Sequence, residues 1–180
     1  MDTSAPVLSG NLAIPVDLFV SLKHADLGFV DSNGDVVYKV KRRSSSHSSS
    51  HDRILLDAAG NPLISMSPDD KGCWKGFKGN GGDELIFRVQ KIKNTLTRTE
   101  LKIFLAGENL GDNTSDFNVR GCPFMRACTI YRGNNIVAQT SLMYKLNQVF
   151  VKRSKFRLTI FPGSVDHALI AALVVIFLKG

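Results

Sequence analysis

The stretch Pro162-Gly163-Ser164-Val165-Asp166-His167-Ala168-Leu169-Ile170-Ala171-Ala172-Leu173-Val174-Val175-Ile176-Phe177-Leu178 decides the fold. Its last eleven residues, Ala168 to Leu178, carry no polar side chain. A bilayer-spanning helix needs about 20 apolar residues, so this run is too short to cross a membrane. No polar face exists at any helical spacing, and a helix apolar all round must be buried all round. Ser164 is placed to cap such a helix. Asp166 then stands in its first turn, where the helix dipole favours a negative charge. Val174-Val175-Ile176 taken alone also reads as a buried strand, and periodicity does not decide between the two. The capping residues and the alanines favour a helix over about residues 165–178.

Upstream of this run the dominant period is two. Leu85, Phe87 and Val89 share one face of their segment; Leu101, Ile103 and Leu105 do the same. Phe156, Leu158 and Ile160 alternate with Lys155, Arg157 and Thr159. Such alternation marks strands with one wet face. Turn signals separate the strands: Ser32-Asn33-Gly34-Asp35, Ala59-Gly60-Asn61-Pro62, Gly79-Asn80-Gly81-Gly82-Asp83 and Arg132-Gly133-Asn134-Asn135. About a dozen short strands result, at spacings of about 8–15 residues, which is the pattern of an all-β sandwich or barrel. A closed antiparallel barrel enclosing one hydrophobic C-terminal helix accommodates both the half-buried strands and the fully buried run. The expected organisation is a flexible segment at 1–14 and a single domain at 15–180.

The chain has 180 residues, 43% apolar and 22% charged, enough for one core without disulfide or metal staples. This composition excludes collagen, a disordered tail, a disulfide scaffold and a multi-pass membrane protein. The net charge of +7 is unevenly distributed. Residues 1–90 hold 10 basic and 11 acidic residues; residues 91–180 hold 13 and 5. A local excess of this kind points to an anionic partner for one part of the surface. Cys73, Cys122 and Cys128 are odd in number and form no CxxC pair, as expected of free thiols in a reducing compartment. The N-terminal residues lack the pattern of a signal peptide, and no myristoylation or prenylation box is present. The Asn113-Thr114-Ser115 sequon is accordingly read as unused.

Several pieces, in order, resemble the plant LURP-one-related family, whose domain is similar to the tubby C-terminal domain and to phospholipid scramblases. They are Asp31-Ser32-Asn33-Gly34, Leu56-Asp57-Ala58-Ala59-Gly60-Asn61-Pro62-Leu63, Trp74-Lys75-Gly76-Phe77-Lys78-Gly79, and Asp116-Phe117-Asn118-Val119-Arg120-Gly121. Arg126-Ala127-Cys128-Thr129-Ile130-Tyr131, Ile136-Val137-Ala138-Gln139 and Pro162 to Ala168 follow. The family usually has an aromatic where His167 stands. The resemblance implies a twelve-stranded barrel threaded by the hydrophobic helix. It also implies a link to plant defence and, through the tubby-like relatives, phosphoinositide binding on a basic surface.

The charge pattern supplies candidate residues for that role. Between Phe117 and Val165 lie eight Lys or Arg residues and no acid, among them Lys152, Arg153, Lys155 and Arg157. A second cluster is Lys39, Lys41, Arg42 and Arg43. Several charge-assisted hydrogen bonds converging on one phosphate favour such clusters. The competing reading is a solvated face with no specific ligand. Arg43 to Asp52, RSSSHSSSHD, has no apolar residue to pack and reads as a solvated loop. Phosphorylation at Ser44 or Ser45 would add about −1.5 to −2 charge per site and cancel neighbouring positives.

Other constellations carry less. His47 and His51 lack further ligands for a metal. Asp31-Ser32-Asn33-Gly34-Asp35 begins like a calcium loop, but the glycine stands fourth rather than sixth and Arg42 takes the place of the closing Glu, so it reads as a hairpin turn. Ser164, Asp166 and His167 are triad residue types without a nucleophile elbow. Zinc spacing and a recognition helix are missing, which disfavours nucleic acid. The sequence therefore predicts a non-enzymatic domain without cofactor or metal, binding anionic phospholipid headgroups through charge and not by insertion. The alternative is a protein-interaction scaffold in a defence pathway; a scramblase and a membrane-tethered transcription regulator rank lower. The expected location is the cytoplasm, peripheral at the plasma membrane, with the nucleus as an alternative.

Overall fold

The computed structural model describes residues 14–23, 26–43, 52–69, 72–95, 97–107, 114–143, 155–163 and 165–179. Among them are twelve strands: β1 (Val16–Lys23), β2 (Asp26–Val30), β3 (Val36–Arg42), β4 (Arg53–Asp57), β5 (Pro62–Pro68) and β6 (Trp74–Lys78), then β7 (Leu85–Asn94), β8 (Thr99–Leu105), β9 (Phe117–Cys122), β10 (Ala127–Arg132), β11 (Asn135–Leu142) and β12 (Lys155–Ile160). A short 3-10 turn, Pro123–Met125, joins β9 to β10, and the helix α1 (His167–Lys179) ends the described chain. Each strand pairs antiparallel with its sequence neighbour, and β12 pairs with β1, so the sheet closes into a barrel. Closure leaves no free strand edge for another chain to extend.

The period-two segments take the places their patterning requires. Phe87, Val89, Leu101, Ile103, Phe156, Leu158 and Ile160 are buried inside the barrel. Ala168 through Phe177 of α1 are buried as well. The helix threads the lumen, and its backbone comes closest to β5. It starts two residues later than expected and ends one later. Asp166 is the residue before the helix and not part of its first turn: its carboxylate accepts the Ala168 N–H at 2.8 Å, and its carbonyl accepts the Ile170 N–H. Ser164 lies outside the described residues.

Two glycines are set by close approach. A Cβ at Gly76 would run into the buried Phe87 ring, and one at Gly121 into the Ala127 carbonyl and the Cys128 backbone. The apparent calcium loop is a hairpin turn: the Asp31 carboxylate accepts the N–H groups of Asn33 and Asp35, and Gly34 turns the chain at φ 91°. Outward strand positions carry exposed Lys39, Arg88, Arg120 and Arg157. A barrel embedded in lipid needs an apolar outer band, so this sheet faces water.

Candidate anion-binding face

Strand register brings part of the expected basic set together. Across β12, β1, β2 and β3, the outward row reads Lys155, Ser21, Gly28, Lys39. Three strand spacings of about 4.8 Å put the two lysine Cα atoms roughly 14 Å apart. Between them Ser21 is small and Gly28 has no side chain, so the sheet surface is depressed there. An open cleft of about 310 Å³ results, bordered by Ser21, Gly28, Val30, Lys39 and Lys41. Nothing lies within 4 Å of a Cβ built on Gly28, so the floor of this cleft is open. Lys39 leans toward the β4–β5 turn, with Nζ 3.5 Å from the Ala58 carbonyl. Arg157 sits one step along β12 from the lysine row and reaches Asp17 at 3.6 Å. A second cleft, of about 290 Å³, lies beside it between Phe19, Ser141, Met143 and Arg157.

Lys39, Lys41, Lys155 and Arg157 are exposed and occupy one quarter of the barrel's circumference. Arg42 and Arg43 go elsewhere. Arg42 ends β3 directly opposite Arg53 on β4. The Arg43 guanidinium lies against Gly81, while its N–H donates to the Asp52 carbonyl. Lys152, Arg153, Ser44 and Ser45 fall outside the described residues, as do His47 and His51.

The structure also assembles a cationic group that charge runs did not reveal. Arg53 is buried, and its Nη1 donates to the Asp52 carbonyl at 3.1 Å. Burial first, and the facing Arg42 second, lower its affinity for a proton, while Asp52 opposes the shift. Lys179, at the end of α1, is held below the usual lysine range by burial and by Arg126, Arg53 and Arg42. These four cations come from β3, β4, the β9–β10 connection and the helix terminus. The available signal was topological: strands flanking one loop place Arg42 and Arg53 opposite one another.

Cys128 and Asp166 have structural partners. Cys128 is buried, its N–H donates to the Thr140 hydroxyl at 2.8 Å, and burial pushes its thiol up to about 12. A thiol that stays protonated at neutral pH is a poor nucleophile. The Asp166 carboxylate is engaged by the helix N-terminus. Among the described residues no group of three or more His, Cys, Asp or Glu is arranged to hold a metal.

Comparison with known proteins agrees with this architecture. The family model described as LURP-one-related matches residues 16–178. LURP-one-related 7 of Arabidopsis thaliana is 45% identical over 174 residues, covering 93% of this chain and 91% of that protein. LURP-one-related 15 of the same plant is 33% identical over 177 residues, covering 90% and 78%. An Arabidopsis thaliana protein solved by X-ray crystallography superposes with a TM-score of 0.69 at 30% identity, covering 92% of this chain and 90% of its own.

Proposed function

The chain belongs to the LURP-one-related family, and on that premise we propose that it is a non-enzymatic domain that docks on anionic phospholipid surfaces, phosphoinositides in particular, as a regulator in plant defence. The observation that carries this reading is the Lys155-Ser21-Gly28-Lys39 row: two cations flank a depression floored by the smallest residues, with Lys41 and Arg157 beside it. A headgroup phosphate enters such a depression without displacing a side chain, and the Lys39 ammonium exchanges its long contact with the Ala58 carbonyl for the phosphate. Each basic residue near an anionic leaflet contributes about 1 kcal/mol. The burial of α1 inside the barrel speaks against a scramblase-like inserted helix, because exposing it would empty the core.

Flotation with phosphoinositide vesicles at low and raised salt tests the proposal. Binding at low salt that falls steeply as salt rises is the expected result. Binding no stronger than to neutral vesicles excludes it and leaves the protein-scaffold reading. Ser44 and Ser45 are proposed as the switch. Replacing both with Asp should weaken flotation, and unchanged flotation removes the switch while leaving the site.

A further inference from the structure

The two ends of the barrel differ in charge. Odd-numbered strands and α1 all run from one end to the other, so topology assigns every terminus. At the end where α1 begins lie Asp31, Asp35, Asp57, Asp83, Glu84 and Asp116, from the turns and strand ends there. At the end where α1 finishes lie Arg42, Arg53, Lys93, Arg98, Arg126 and Lys179. Acids are fewer at this second end: Asp26, Asp52 beside Arg53, Asp69 paired with Lys75 at 3.0 Å, and Glu100 paired with Arg120 at 3.1 Å, while Lys78 and Arg132 are the cations at the first end. Arg126, Arg53 and Arg42 each lie within electrostatic reach of Lys179, and Arg42 faces Arg53 across paired strands.

Both ends also expose apolar side chains. Ile14, Val16, Val36 and Ile136 are exposed at the acidic end; Ile92, Phe124, Met125 and Met143 at the cationic end. Charge separates the two sets, since an anionic bilayer attracts one end and repels the other. The cationic set is also presented rigidly. Phe124 and Met125 are 52% and 39% exposed on the 3-10 turn that begins at Pro123. Arg126 closes that turn at φ 54°, a left-handed backbone that only a firmly held non-glycine residue adopts. Its N–H donates to the Pro123 carbonyl at 3.1 Å, and its carbonyl accepts the Thr140 hydroxyl at 2.8 Å. Met143 stands three residues beyond Thr140, on the adjacent hairpin. Ile92 is the extra residue of a bulge in β7, which re-aims its side chain.

We propose that this end seats on an anionic bilayer, with Phe124 and Met125 entering the headgroup–acyl boundary inside a ring of Arg and Lys. The inference rests on the anionic-membrane reading above and revises one part of it: contact is made by shallow insertion as well as by charge. Lys41 and Lys155 lie toward the same end of their strands, so the lysine face meets the headgroups in the same pose. A side chain entering the boundary gains apolar burial that salt does not screen.

Trp74, the chain's single tryptophan, is buried, and the unmodified protein measures its background, so the difference reports on an added tryptophan. Full-length Phe124→Trp and Ile136→Trp proteins are bound to phosphoinositide vesicles with brominated acyl chains. The expected result is quenching and a blue shift for Phe124→Trp and neither for Ile136→Trp. Phe124→Ser with Met125→Ser should weaken vesicle binding at raised salt by about tenfold, measured at a temperature at which both proteins are folded. Vesicle-bound protein that shows no quenching at Phe124→Trp, or equal quenching at both positions, overturns the insertion and leaves the lysine face standing. Failure of the unmodified chain to bind any anionic vesicle overturns both readings.

Discussion

At the scale of single residues, three substitutions separate stability from binding. Gly76→Ala drives a methyl into the buried Phe87 ring. Overpacking of this kind costs about 1–3 kcal/mol, readable as a lower urea midpoint. Gly28→Val meets no atom within 4 Å and adds a β-favouring side chain. It should leave the urea midpoint equal or higher while reducing vesicle affinity, because it fills the floor between Lys39 and Lys155. A Gly28→Val protein that binds as well as the original would remove the cleft from the proposed site. Cys128 gives a pH signature. Its thiol is raised in the fold from about 9 to about 12, so its contribution is complete below pH 9 and lost as pH climbs toward 12. Cys128→Ala should flatten that alkaline decline relative to the parent, whatever it does to stability at pH 7. Half-buried Cys73 and Cys122 should react with a thiol reagent in the native state, and Cys128 only on unfolding.

At the scale of elements, the helix is the feature that strand counting alone leaves open. Leu173 is fully buried at the middle of α1. Leu173→Ala should cost about 2–5 kcal/mol while leaving a folded barrel, and Leu173→Asp should prevent folding by burying an unpaired charge. A folded Leu173→Asp protein would mean that α1 sits outside the barrel. This element was legible because Ala168–Leu178 has no polar face, and the strands were legible because one side of each is wet. The cap was misplaced by two residues. Both Ser164 and Asp166 are competent cap residues in sequence, and the helix starting at His167 uses the Asp166 carboxylate. The face was legible in part. Alternation put Lys39 and Lys41 on one side of their strand, but pairing β3 with β12 through two intervening strands requires register. The Arg42–Arg53 pair stayed hidden because its two members lie on opposite sides of a ten-residue polar loop.

At the scale of the whole molecule, the excess of positive charge proves to be directional. The barrel carries acids at the end where its helix begins and cations where it finishes, with the lysine face adjoining the cationic end. Such a distribution orients the molecule as it approaches a negative surface, before any contact forms. Raised ionic strength should therefore slow association more than it speeds dissociation once Phe124 and Met125 are seated. The most direct test of the membrane-docking claim is equilibrium binding to phosphoinositide vesicles by the unmodified protein and by Lys39→Gln/Lys41→Gln/Lys155→Gln. Three contacts of about 1 kcal/mol each correspond to a loss of roughly 100-fold in affinity, with the melting temperature unchanged because all three side chains are exposed. Equal affinities for the two proteins, or binding by the unmodified protein that neutral vesicles match, would contradict it.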